Sequence, residues 1–250
     1  MSGCYETFAS VYDSFMDNIP YEEWSIYLKQ LLQQENIENG TLVELGCGTG
    51  SMMQQLASSS YQILGVDIST DMLSIAADKL SDYDNTTLLL QDMRILDLGM
   101  QANAIYSVCD SMNYILTDED LLDTFQGAHK HLHANGVFIF DLKTDYFYRE
   151  ILGDQIFCDH QEHCSYTWEN SFFEEDCINQ YDLTLFVKEP DSHLYRRFQE
   201  THHQRAYELS TIMDLLKQAG FHSITAYDAF TTQAPHAKSE RIYLIARNGE

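Results

Sequence analysis

The sequence has few basic residues, and this limits the kinds of molecule that the protein can bind. Lys and Arg number 14 against 39 Asp and Glu, which gives a formal net charge of −25. At cellular salt the Debye length is about 8 Å, and within it this charge repels polyanions. The densest basic group, Arg196 and Arg197 with Arg205 nearby, is thin for phosphate contacts. We therefore do not expect a nucleic acid substrate.

Long apolar runs and paired cysteines are also missing. No stretch approaches the roughly 20 apolar residues of a membrane-spanning helix. The N-terminus, MSGCYETFASVYDSF, has neither the basic nor the apolar block of a signal peptide. The 6 cysteines include no CxxC pair, which favours free thiols in a reducing compartment. We expect a cytoplasmic protein that does not associate with membranes.

Internal repeats and low-complexity tracts are absent, and 44% of the 250 residues are hydrophobic. This length suits one α/β core with a small inserted subdomain. Short apolar runs alternate with helical segments, which is typical of βαβ units around a buried parallel sheet. The predicted strands are 41–46, 61–67, 86–92, 103–110 and 136–142, and the predicted helices are 5–17, 21–36, 50–58, 70–80 and 118–133.

The alternation stops after the fifth strand. Residues 143–207 hold aromatic, partly alternating pieces that predict antiparallel strands. A helix at 208–219 and strands at 221–230 and 239–247 follow, so the antiparallel piece is an insertion. The predicted core is 1–142 and 208–250 with an N-terminal helical cap. We expect 143–207 to form a lid over the carboxyl ends of the parallel strands, where open α/β sheets bind ligands.

The strongest motif is LVELGCGTG at residues 42–50, a buried strand followed by Gly46, Gly48 and Gly50. Glycine permits a positive φ and lets a ligand lie against the backbone. The dinucleotide fingerprint GxGxxG requires a small residue at its sixth position. That position is Ser51 here, and the spacing is GxGxG instead.

Polar residues follow the next strands. Asp67 ends the second strand, where a carboxylate can accept both ribose hydroxyls of an adenosine. Asp92 and Met93 end the third, where a carboxylate can receive an adenine amino group and a methionine can lie on the ring. The fourth strand ends in CDSMNY, residues 109–114.

These strand ends, in this order, resemble the class I methyltransferases that use S-adenosylmethionine, and their small-molecule branch in particular. The match covers about 41–142 and 208–247. The resemblance implies a Rossmann-like, mostly parallel seven-stranded sheet with helices on both faces, and S-adenosylmethionine as cofactor. The N-terminal aromatic segment is similar to a helix that closes over the cofactor in that branch, although an ordinary amphipathic stripe explains it equally well. The implied cofactor-binding residues are Tyr12, Glu44, Gly46, Gly48, Gly50, Asp67, Met72, Asp92, Met93 and Asp110.

Fewer residues are candidates for contacts with the acceptor, the molecule that would receive the methyl group. His202 and His203 are candidate catalytic bases, although a histidine pair on an exposed strand is also typical of plain surface. Tyr5, Asn113 and Arg205 are candidate substrate-binding residues, and Arg205 could hold a carboxylate bidentately. The segment CDHQEHC at 158–164 has ligand-type side chains in no recognisable zinc spacing, so no metal is expected.

The function predicted is methyl transfer to a small-molecule acceptor, in which the protein chiefly aligns donor and acceptor. Methylation of RNA or protein is the alternative within the same class. A nucleotide-dependent oxidoreductase is disfavoured by Ser51 and by the lack of a Tyr-x-x-x-Lys pair. A module that only senses the cofactor would not need a lid. The acceptor, the methylated atom and the oligomeric state, with a homodimer as one possibility, stay open.

Overall fold

The structure is a computed structural model that describes residue 13 and residues 20–160, 163–189 and 192–249. Its helices are α1 (Tyr21–Gln34), α2 (Ser51–Ala57), α3 (Thr70–Lys79), α4 (Asp118–Lys130) and α5 (Leu209–Gln218). Its strands are β1 (Gly40–Leu45), β2 (Tyr61–Asp67), β3 (Thr86–Leu90), β4 (Ala102–Ser107), β5 (Leu132–Lys143), β6 (Ile156–His160), β7 (Cys164–Phe173), β8 (Ile178–Lys188), β9 (Tyr195–Arg205), β10 (Ser223–Asp228) and β11 (Arg241–Arg247). Short 3₁₀ helices cover Met93–Ile95 and Ser111–Tyr114.

The main sheet has seven strands in the order β3-β2-β1-β4-β5-β11-β10. The first five are parallel, whereas β11 runs antiparallel to both β5 and β10. The strand order reverses between β1 and β4, and in open α/β sheets a ligand crevice forms at the carboxyl ends beside such a reversal. The topology therefore puts the candidate site at the ends of β1, β2 and β4.

Helices cover both faces of this sheet, as predicted. Side chains alternate along each strand, so neighbours enter different layers. Leu42 of β1 packs in the cluster that includes α1, α2 and α3, whereas Val43 packs with α4 and α5. Both side chains are fully buried. The two apolar layers hold the sheet edge, and with it the site, in a fixed position.

The predicted insertion forms a second, antiparallel sheet in the order β6-β7-β8-β9. It lies in the chain between β5 and α5. One of its faces, here called the inner face, packs on the core, where Leu185 and Phe198 contact Met72 of α3. The mostly parallel sheet and the inserted antiparallel sheet are thus confirmed. That the insertion acts as a lid stays a prediction.

The boundaries differ from the prediction at α4 and β5. The helix ends at Lys130, not at 133, and β5 begins at Leu132, not at 136. The reason is a register shift: Ala102 pairs with Leu132, but Ala104 pairs with Val137. Residues 133–135 are exposed, so apolar content alone does not reveal that the strand begins at Leu132. The predicted strands 221–230 and 239–247 shorten to β10 and β11.

One predicted helix lies almost entirely outside the residues that the structure describes. The predicted helix 5–17 lies outside the described residues except for Asp13, which is helical. None of the helices in the described ranges is long and apolar enough to cross a membrane.

Candidate active site at the carboxyl ends of the strands

The glycine loop joins β1 to α2, and its three glycines have φ values of +74° (Gly46), +52° (Gly48) and +77° (Gly50). A Cβ atom on Gly46 would lie 2.7 Å from Oγ of Ser111 and 3.4 Å from Cε of Met93. A Cβ atom on Gly48 would meet nothing within 4 Å. The loop is therefore packed against the protein at Gly46 and open to a ligand at Gly48.

Asp67 at the end of β2 holds this loop in place. Its Oδ2 accepts the backbone N–H of Gly48 over 2.8 Å, and its Oδ1 accepts that of Ser69 over 2.9 Å. Ser69, not Asp67, caps α3, since its hydroxyl accepts the Met72 N–H. Each Asp67 oxygen has a further lone pair for a hydroxyl. Beside it, the Ile68 side chain is 67% exposed and offers an apolar surface that the sequence reasoning missed.

Glu44 is the buried acidic residue of β1, two positions before the first glycine of the loop. It is 3% exposed, and the hydroxyl of Tyr106 donates to its Oε2 over 3.0 Å. Burial raises the pKa of the Glu44 carboxyl to about 8. Its predicted part in cofactor binding stays a prediction.

Asp92 and Met93 have different surroundings. Asp92 caps the 3₁₀ helix Met93–Ile95 by accepting the Arg94 N–H over 2.9 Å, and the Arg94 guanidinium holds its other oxygen at 2.6 Å. The Arg94 hydrogen bonds hold the pKa of Asp92 below its usual 3.8. Met93, by contrast, approaches Gly46. The fold thus places Met93 next to the glycine loop, whereas the Asp92 carboxylate is already hydrogen-bonded to Arg94.

Four charged side chains and a glutamine meet at the ends of β4, β5, β9 and β11, and we call them the charge cluster. Asp110 accepts from Arg241 over 2.9 Å, from Lys143 over 3.0 Å and from Gln204 over 2.8 Å. Arg241 also pairs with Asp141, which is fully buried. Burial alone would raise the pKa of Asp110, but Lys143 and Arg241 outweigh it and hold it below 3.8.

The backbone at the end of β4 is unusual. Cys109 and Asp110 are consecutive non-glycine residues with φ of +63° and +57°. Such residues cost free energy in the left-handed region and concentrate at functional sites. The turn lets the Asp110 N–H donate to Oδ1 of Asp141 over 2.9 Å. Asp110 therefore ties strand ends together, and its cofactor contact stays a prediction.

Asn113 and Arg205 lie close together but already have partners within the protein. The buried Asn113 amide donates to the carbonyls of Lys143 and Arg205 over 3.1 and 2.9 Å. The Arg205 guanidinium pairs with Asp118 over 2.9 Å and lies above the Tyr207 ring. Their predicted contact with the acceptor stays untested, and both residues fasten the antiparallel sheet to the core.

The two candidate histidines lie on opposite faces of β9, because strand side chains alternate. His202 is on the inner face, where its Nε2 is 3.0 Å from Oε2 of Glu200 and its ring stacks on Tyr181 with centroids 4.9 Å apart. His203 is on the outer face, exposed, with Nε2 3.2 Å from Oε1 of Gln180. The pair therefore cannot act together on one acceptor.

Aromatic rings line the space beside His202. Tyr181 contacts Trp168 at a centroid distance of 5.0 Å, and its hydroxyl hydrogen-bonds that of Tyr114 at the end of the 3₁₀ helix Ser111–Tyr114. Although it makes this bond, Tyr114 is 44% exposed. The rings of Tyr114, Tyr181, Trp168 and His202 thus form one cluster between the strand-four end and the antiparallel sheet, and Tyr114 is its solvent-exposed member.

One described residue marks the N-terminal segment. Asp13 accepts from the hydroxyl of Thr49 over 2.6 Å and pairs with Lys79 over 2.7 Å. Position 13 is therefore beside the glycine loop. Tyr5 and Tyr12, the predicted substrate and cofactor contacts of this segment, lie outside the described residues.

Several members of the site were not predicted from the sequence. Asp141 and Arg241 carried a usable signal, since each lies in or beside a buried apolar run, and a buried charge needs a partner. For Gln204 and Glu200 the only sequence signal was the period-two alternation of a strand, which puts both residues on the same face as His202.

Known proteins resemble this chain over its whole length. Residues 42–136 match the family model described as a methyltransferase domain. The chain is 34% identical to the putative methyltransferase YqeM of Bacillus subtilis (strain 168), over 98% of each chain. The crystal structure of an S-adenosylmethionine-dependent methyltransferase from Clostridium acetobutylicum ATCC 824 has a TM-score of 0.87 and 30% identity, and covers 98% of this chain and 99% of that one. The sugar N-methyltransferase KedS8 from Streptoalloteichus sp ATCC 53650 has a TM-score of 0.80, with 96% and 93% covered, and its 18% identity shows the fold alone.

Proposed function

We propose, from the premise that the chain belongs to the class I S-adenosylmethionine-dependent methyltransferases, that it methylates a small-molecule acceptor bound under the inner face of the antiparallel sheet. The family and the methyl donor follow from the full-length relatives. The identity of the acceptor does not follow from them, so the acceptor is argued from the site.

The glycine loop and Asp67 fit the donor. Gly48 leaves open the space that a side chain would occupy, and Asp67 presents two oxygens beside it. When bound, the donor would supply a methyl group activated by its sulfonium, so that a lone pair of the acceptor bonds to the methyl carbon and the sulfur leaves with the electrons of the C–S bond. Gly46, Gly48, Met93 and Asp67 would hold the donor.

One hydrogen bond carries the proposal for the acceptor. Gln204 of β9 donates to Asp110 beyond β4 over 2.8 Å, which fastens the inner face above the carboxyl edge of the main sheet. His202 is two residues before Gln204 and therefore on the same face. We propose on this basis that residues 143–207 act as a lid over a core of 1–142 and 208–250.

The chain's own residues then have defined tasks. The lid and the strand-four end align the acceptor with the donor, and alignment alone can be worth an effective molarity of about 10⁵ M or more. His202 removes the acceptor's proton, and Glu200 orients the imidazole through the 3.0 Å contact. Tyr114 and Tyr181 form the wall of the chamber.

The net charge of −25 supports a small acceptor over RNA, because the phosphate backbone would be repelled. The test is to incubate the protein with methyl-labelled donor and, separately, a small-metabolite extract, total RNA and total protein. We expect label in the metabolite fraction, in a smaller amount with Asp67→Ala at a donor concentration below saturation. Label transferred to RNA or protein instead would contradict the small-molecule proposal.

A further inference from the structure

Glu200 is a partly buried carboxylate beside the proposed acceptor chamber. Its side chain is 16% exposed and that of its partner His202 is 23% exposed. Among the described residues it forms no ion pair with a Lys or Arg. Burial of the Tyr114 hydroxyl raises its pKa, Tyr181 raises it further, and Asp110 and Glu200 add smaller contributions, which is consistent with Glu200 lying near Tyr114.

The basic side chains that the structure describes near the chamber already pair with carboxylates. Lys143 and Arg241 pair with Asp110 and Asp141. Arg205 pairs with Asp118. The described charge that remains for a ligand in the chamber is therefore the negative charge of Glu200. The rings of Tyr181 and Tyr114 lie beside its partner His202, with centroids 4.9 and 6.0 Å away, and the faces of such rings attract cations.

We propose that the acceptor is an amine that enters as its ammonium ion, held by the Glu200 carboxylate and the rings of Tyr181 and Tyr114. This inference rests on the proposed function and specifies its substrate class. A neutral hydroxyl would gain little from this carboxylate, and a carboxylate ligand would be repelled by it. Glu200 is thus both a positioning residue for His202 and a determinant of specificity.

The proton and electron balance is simple. One N–H of the ammonium gives its proton to a ring nitrogen of His202, which frees the nitrogen lone pair. That pair forms the new N–C bond as the methyl group leaves the donor sulfur, and the sulfur keeps the electrons of the broken C–S bond. The product is the methylated ammonium, and the proton on His202 passes to solvent.

The test uses the full chain carrying Trp24→Phe, because the protein has only 2 tryptophans and Trp168 contacts Tyr181. With the demethylated donor bound, the protein is titrated with cyclohexylamine, cyclohexanol and cyclohexanecarboxylate, which share one skeleton. We expect Trp168 fluorescence to respond to the amine alone. Glu200→Gln should weaken amine binding about tenfold, which is the size expected for loss of a partly desolvated charge contact.

Asp182→Asn is the matched control, since Asp182 is a carboxylate on the outer face, bonded to Thr201. It should leave the response unchanged. Stronger binding of the alcohol or carboxylate, or unchanged amine binding in Glu200→Gln, would overturn the amine proposal. The proposed function would survive either result if labelled donor still methylated a metabolite, whereas its own failure would appear as label on RNA or protein.

Discussion

Gly48 donates its backbone N–H to Oδ2 of Asp67 over 2.8 Å, and this bond joins the glycine loop to the end of β2. The loop of Gly48 and the strand end at Asp67 lie side by side because β1 and β2 pair in parallel register from Gly40 to Leu45. One carboxylate therefore shapes the loop and faces the space that the loop leaves open.

Asp67→Ala should weaken binding of S-adenosylmethionine by about 1–3 kcal/mol, because the loop loses its anchor and the ribose hydroxyls lose an ionised acceptor. Isothermal titration calorimetry measures this. Asp78→Ala, at an exposed position of α3, is the control. Full affinity in a folded Asp67→Ala protein would show that the ribose of the donor does not bind at Asp67.

His202→Gln should lower kcat about 10²-fold or more, as expected for loss of a proton acceptor. His203→Gln should change kcat by less than about a factor of two, because an exposed side chain on the outer face rarely matters. Initial rates at saturating donor compare them. Equal losses of kcat in both variants would contradict the proposal that the histidine on the inner face of β9 is the catalytic base.

Glu44 should make stability depend on pH. Because burial raises its pKa in the folded state from 4.5 to about 8, the stability it contributes is fully present below pH 4.5 and is lost as pH rises through about 8. Glu44→Gln should remove this loss, which is on the order of a few kcal/mol. Urea unfolding of both proteins at a series of pH values gives the difference, and parallel curves would contradict the raised pKa.

Arg241→Leu should destabilise the fold by about 3–5 kcal/mol, because the fully buried Asp141 loses its cationic partner and Asp110 is left with Lys143 alone. Adding Asp141→Asn should recover part of that loss, which a double-mutant cycle by denaturant unfolding detects. Arg196→Leu removes the exposed pair with Glu189 and should cost less than about 1 kcal/mol. Additive losses for Arg241 and Asp141 would mean that the two do not interact.

Local patterns were enough to predict the glycine loop, the strand-end carboxylates and the order of elements. Period-two and helical spacing report burial along one element, and a GxGxG turn after a buried strand has few other uses. These local patterns were insufficient at β5. The predicted strand starts at Gly136, whereas a register shift lets the observed strand start at Leu132. A shift of that kind depends on the neighbouring strand and leaves no local mark.

The sequence by itself determined the family, the mostly parallel sheet and the position of Asp67 beside the glycine loop, because short-range patterns encode each of these. Only the tertiary structure decided which face of β9 meets the core, and hence that His202 and not His203 lies beside the chamber. It also brought Asp110, Asp141, Gln204 and Arg241 together from distant positions. The physical reason is that burial of a charge requires partners from whatever strands the topology makes adjacent, and no pattern along the chain specifies them.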